Sequence, residues 1–102
     1  MSRTQCKITL VCYDIASDKL RRNIDKCLKD FGVRLQFSLF ICRLDAAGAA
    51  RCREKLLKVL RRYHKEKAPA DSIIVFERFH PDIACCLLGA PIEREPSLFE
   101  VI

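Results

Sequence analysis

Residues 11–44 decide the fold: V-C-Y-D-I-A-S-D-K-L-R-R-N-I-D-K-C-L-K-D-F-G-V-R-L-Q-F-S-L-F-I-C-R-L. The stretch opens inside a β-prone run, Cys6–Tyr13. There Ile8, Leu10 and Cys12 share one face, and Lys7, Thr9, Val11 and Tyr13 share the other. Asp14-Ile15-Ala16 reads as a turn, with Ser17 as helix N-cap and Asp18 in the first helical turn. Leu20, Ile24, Cys27, Leu28 and Phe31 then form one amphipathic stripe. Arg22 falls opposite that stripe, and Arg21 flanks its edge nearer the strand ends. Gly32 is expected to stop the helix as a left-handed residue. Val33–Phe37 and Ser38–Leu44 follow as two strands, the second apolar on both faces.

Beyond this stretch, a second helix is expected from about Ala46 to Tyr63, with Ala49, Cys52, Leu56, Val59, Leu60 and Tyr63 on its buried stripe. A polar loop from His64 to Pro69 leads to a strand over Ser72–Phe79 that is again apolar on both faces. The order β-α-β-β-α-β is the ferredoxin-like α+β pattern, an antiparallel sheet with both helices on one face. Residues 1–80 make this unit. Residues 81–102 form a tail of the same domain, broken by Gly89, Pro91 and Pro96, whose last strand is expected over Ser97–Ile102 against an edge of this sheet or of a partner's. Apolar residues on the second sheet face require a cover, and a second copy in a two-fold homodimer is the economical one.

At 102 residues with half of them hydrophobic, the chain is a single globular domain. No apolar run approaches the ~20 residues of a membrane span, and no signal-peptide core precedes the first strand, so a cytoplasmic protein without membrane partners is expected. The 7 cysteines include no C-x-x-C pair. Cys12, Cys27, Cys42 and Cys52 fall at apolar positions and read as packing residues, as does the vicinal pair Cys85-Cys86. The formal charge is +6, and residues 46–67 alone, with eight basic and two acidic side chains, carry an equal excess. A positive excess confined to one segment points to a polyanion, or to an ordinary solvated helix face.

Asp14, a lone carboxylate at a strand's carboxyl end, suits a metal or acid-base position, although in one chain alone such a residue more often caps a turn. If a dimer axis passes nearby, two copies of Asp14 meet, and a shared Mg²⁺ would relieve their repulsion. There is no phosphate-binding G-x-x-x-x-G-K-[ST] loop and no dense acidic cluster. His64 and His80 read as surface residues. The third strand lacks the aromatic pattern by which RNA-recognition motifs stack bases on an open sheet.

Tyr13-Asp14-Ile15, Arg21-Arg22, Phe31-Gly32, Gln36, Ser38 and Phe40, with S-I-I-V-F and the closing E-V-I, resemble the family of CRISPR-associated protein two, the small partner of the spacer-acquisition integrase. Ile41 stands where that family often has an acidic residue. The resemblance implies a ferredoxin-like homodimer, with Asp14 of each subunit holding one Mg²⁺ per dimer. It also implies a bridging role between integrase pairs and, for some members, cleavage of RNA or double-stranded DNA. Arg21, Arg22, Arg51, Lys55, Lys58 and Arg62 are the expected nucleic-acid contacts, and Tyr13, Ser38 and Phe40 the expected support around Asp14. The alternative is a ferredoxin-like regulatory domain that binds a metabolite without nuclease activity. That alternative wants a glycine-rich turn in place of D-I-A-S-D.

Overall fold

The computed structural model describes residues 7–79, 85–86 and 100–101. Strand β1 (Lys7–Asp14) is followed by helix α1 (Asp18–Leu28), strands β2 (Gly32–Gln36) and β3 (Leu39–Leu44), helix α2 (Ala46–Arg62), a 3-10 turn (His64–Glu66) and strand β4 (Ser72–Phe79). The four strands form one antiparallel sheet in the order β2-β3-β1-β4, the ferredoxin-like arrangement. Short strands β5 (Cys85–Cys86) and β6 (Glu100–Val101) pair with each other in parallel. Of the closing strand expected over Ser97–Ile102, the described residues Glu100 and Val101 pair with β5, and the rest of that stretch lies outside the described residues. His80 and the packing of the Cys85 and Cys86 side chains lie outside the described residues.

Both helices start on side-chain caps that satisfy otherwise orphaned N–H groups. Ser17 Oγ accepts from Leu20 N at 3.2 Å, and Asp45 Oδ1 accepts from Gly48 N at 2.7 Å. The apolar stripes of both helices cover one sheet face. Val11, Tyr13, Ile15, Leu20, Ile24, Leu28, Phe40, Cys42, Cys52 and Leu56 make the main core there. Cys42 and Cys52 are buried side by side, Cys12 and Cys27 are half-buried, and all four are free thiols. The Cys42 thiol is hydrogen-bonded to Cys52, and that bond together with burial pushes its pKa up, so it packs as a small neutral side chain.

The helix stop differs from the expected one. Helix α1 ends at Leu28 with Lys29 as a right-handed cap, and Gly32 opens β2 instead. A Cβ at Gly32 would stand 2.1 Å from the Ile41 carbonyl oxygen and 2.7 Å from Cys42 Sγ. Glycine is required by the close approach of β2 to β3, with no left-handed turn involved.

The second sheet face carries a smaller cluster, Ile8 and Ile41 with Leu10, Val33, Leu35 and Phe79. Ile74 and Phe76 on β4 remain large exposed apolar side chains, 51% and 42% accessible. A bulge shapes this face. Ile8 pairs with Phe79 and Leu10 with Phe76, so β4 holds one extra residue there, and Arg78 adopts a left-handed backbone with φ 64°. The bulge turns Phe79 back to the side of Phe76, with ring centroids 6.2 Å apart.

Candidate functional site

One end of the fold gathers the carboxyl end of β1, the β2–β3 turn, the start of β4, the start of α1 and the end of α2. Tyr13 and Asp14 arrive there on opposite faces, because strand residues alternate. Asp14 follows Ile8, Leu10 and Cys12 onto the second face, pairs with Ser72 of β4 and is exposed. Tyr13 turns under the helices and is 4% accessible. Its backbone N–H donates to the Ser38 carbonyl at 3.1 Å, which fixes the β2–β3 turn against the end of β1.

The Tyr13 hydroxyl donates to Asp25 on α1, and Arg34 of β2 pairs with the other Asp25 oxygen at 2.6 Å. The Arg34 guanidinium also lies 5.8 Å from the Phe40 ring centre. Burial, with the Asp25 carboxylate as acceptor, pushes the Tyr13 pKa well above that of a free phenol, so the residue stays a neutral donor. Phe40 is fully buried beneath Tyr13, with ring centroids 6.4 Å apart. Both residues therefore support the strand end from below by packing, and Ser38 supports it through its carbonyl.

The other carboxylates at this end are engaged. Asp71 accepts from Ala16 N at 2.9 Å and Ala68 N at 2.8 Å, which lowers its pKa and clasps the loop before β4 to the turn after β1. Glu66 accepts from the Ser17 hydroxyl at 2.9 Å, and Asp18 pairs with Arg21. Among the described residues the Asp14 carboxylate has no such partner. No group of three or more His, Cys, Asp or Glu side chains is placed to hold a metal among the described residues. At this end of the fold one chain thus offers one free carboxylate among the described residues. Mg²⁺ binds through one or two carboxylates and fills its shell with water and phosphate oxygens, so this donor set fits it, and a second copy would add a second carboxylate.

Arg21 is half-buried at the same end. Its guanidinium donates to the Ile15 carbonyl at 3.0 Å, pairs with Asp18 and lies 5.6 Å from the ring centre of Phe37 at the β2–β3 turn. Arg22 points into solvent.

The basic residues of α2 are not brought beside Asp14. Arg51, Lys55, Lys58 and Arg62 recur at i, i+4, i+7 and i+11 and form one exposed stripe. It rises on the layer of the helices, the opposite side of the sheet from Asp14. None of the four has an acidic partner among the described residues. Arg53 leaves the stripe to pair with Glu77. At the upper end, Arg62 and Lys19 both lie over Tyr63, at 5.7 and 5.8 Å from its ring centre. Lys19 thus extends the stripe onto α1. Sequence reasoning missed Lys19, although its place on the Lys19-Asn23-Cys27 flank of α1, next to the apolar stripe, carried that signal. It also missed the Asp25–Arg34 pair, which joins elements through tertiary contact alone.

Among the described residues, no helix is long and apolar enough to cross a membrane. The profile of the family described as CRISPR associated protein Cas2 matches residues 7–78. The chain is 38% identical over 52 residues to a CRISPR-associated endoribonuclease Cas2 of Chloroflexus aurantiacus, a match that spans 51% of this chain and 56% of that protein. It is 30% identical over 89 residues to a CRISPR-associated endoribonuclease Cas2 of Synechocystis, covering 87% of this chain and 86% of that protein. The crystal structure of Streptococcus pyogenes Cas2 is similar with a TM-score of 0.55 at 25% identity, covering 69% of this chain and 83% of the other. The matched span runs from β1 into β4 and so takes in both helices and the four-stranded sheet, and the chain belongs to the CRISPR-associated protein Cas2 family.

Proposed function

We propose that the chain serves CRISPR spacer acquisition as a nucleic-acid-binding homodimer that bridges the integrase, with a second capacity for Mg²⁺-dependent phosphodiester cleavage at Asp14. The observation that carries the binding role is the stripe Arg51, Lys55, Lys58 and Arg62, four exposed cations on one helix flank without acidic partners among the described residues. The stripe runs ~16 Å along α2, a length that follows a duplex backbone without reading its bases. The exposed Ile74 and Phe76 support the homodimer, because a sheet face bearing them gains from a cover of the same kind.

The cleavage role is supported by the free Asp14 carboxylate and by the endoribonuclease names of the relatives. In a face-to-face dimer the second face of each sheet meets its copy, which brings the two Asp14 side chains toward one axis. A cation held there would polarise a phosphodiester and lower the pKa of a water. Asp14 would hold the cation, and Arg21, tethered to the Ile15 carbonyl, would supply positive charge for the phosphate. RNA and double-stranded DNA are both candidate substrates.

The two roles sit on opposite layers of the fold and separate experimentally. Replacing Arg51, Lys58 and Arg62 with Ala is expected to weaken duplex DNA binding. It should also flatten the log–log salt dependence by about 0.9 for each phosphate that is no longer neutralised. An unchanged slope measured by fluorescence anisotropy would make the stripe a solvated surface and overturn the binding role.

A further inference from the structure

We propose that Phe37, with Arg21 beside its ring, forms a stacking platform that takes an unpaired nucleobase next to Asp14. The inference rests on the nucleic-acid reading above and deepens it, since it gives the hairpin tip a contact to the bases that the cationic residues do not supply. Phe37 is 68% accessible, the most exposed of the large apolar side chains described. It occupies a tight hairpin tip, where Gly, Asn and Asp are favoured for their backbone conformations and phenylalanine brings no such advantage. Its chain neighbours Gln36 and Ser38 are polar and exposed or half-exposed, and the neighbour described over its ring is a cation.

The Arg21 guanidinium lies 5.6 Å from the ring centre and is itself held by the Ile15 carbonyl at 3.0 Å and by Asp18. A cation fixed next to an exposed aromatic ring offers a nucleobase a π-face and its phosphate a charge. The bond from Tyr13 N to the Ser38 carbonyl ties the two loops, with Asp14 one residue beyond it on one strand and Phe37 one residue before it on the other. A paired base is already stacked within its duplex and cannot reach the ring, so the platform selects unpaired strands, loops and ends. The platform stands at the hairpin tip, away from the sheet surface on which RNA-recognition motifs stack bases.

The chain contains no tryptophan, so Phe37→Trp places a single fluorescent reporter at the tip. Its emission should be quenched by a short oligothymidylate and by an oligouridylate, at the same midpoint as their binding by anisotropy. A duplex bound along α2 should leave it unchanged. Phe37→Ala and Phe37→Leu should both weaken single-strand binding, by about fivefold to about a hundredfold, while duplex binding and sedimentation stay those of the wild type. Wild-type single-strand affinity in either variant, or single-strand binding without quenching, would overturn the platform and leave the basic stripe standing. A loss of dimer in Phe37→Ala would assign the ring to a second copy and overturn it as well. Failure of the wild type to bind any strand, single or double, would remove both readings.

Discussion

Tyr13 and Asp14 show how one peptide step divides structure from chemistry. Alternation along β1 sends the phenol under the helices and the carboxylate to the exposed second face. The first is held by Asp25 and the second by nothing described. The raised Tyr13 pKa carries a signed consequence. A proton bound more tightly in the folded state contributes stability that is fully present below the unfolded phenol pKa of about 10, and that is lost as pH rises beyond it. Tyr13→Phe should therefore cost about 1 kcal/mol near neutral pH. It should also remove part of the alkaline loss of stability, as read by urea denaturation at neutral pH and above pH 10. A variant with the same alkaline profile as the wild type would contradict the buried phenol. Gly32 carries the other residue-scale expectation. Gly32→Ala should destabilise by about 3 kcal/mol, because the nearest atom is a backbone oxygen that cannot swing away. A melting temperature equal to the wild type would contradict this. The sequence shows that a glycine matters here but points to a left-handed helix stop. The true reason, β3 crossing within contact of β2, is a pairing between segments that no local pattern contains.

At the scale of elements the reading from sequence holds closely. Each expected strand and helix of residues 7–79 appears within three residues of its place at either end. The reason is that each is specified locally, by alternation, by a stripe or by a cap. The bulge in β4 was not legible. S-I-I-V-F-E-R-F alternates or runs apolar without marking an extra residue, and the left-handed residue is an arginine where a glycine would have signalled it. The bulge places Phe76 and Phe79 on one side and thereby builds the apolar second face. Since a non-glycine residue pays ~1–2 kcal/mol for that backbone, Arg78→Gly should stabilise the fold by about 1 kcal/mol in chemical denaturation. A destabilised variant would mean that the arginine side chain contributes more than its backbone costs. The stripe on α2 was legible as an excess of charge. Its separation from Asp14 was not, because only the layer order of the fold puts helix flank and strand end on opposite sides.

At the scale of the whole molecule, the stretch from Val11 to Leu44 carried most of the resemblance, the second helix and the strand over 72–79 completed the fold, and that geometry fits the proposed assembly. A domain with basic helices on one layer and a free carboxylate among apolar residues on the other is suited to pairing sheet to sheet. That pairing would leave the positive charge outward for nucleic acid. In such a pairing the candidate metal site would belong to the dimer and to neither chain alone. The most direct test is calorimetric titration of Mg²⁺ into the wild type and Asp14→Asn, with sedimentation of both at micromolar concentration. The account predicts that each sediments at twice 11.8 kDa. It further predicts that the wild type binds one ion per two chains and that Asp14→Asn binds none at that site. A monomer, or Mg²⁺ binding unchanged in Asp14→Asn, would contradict it.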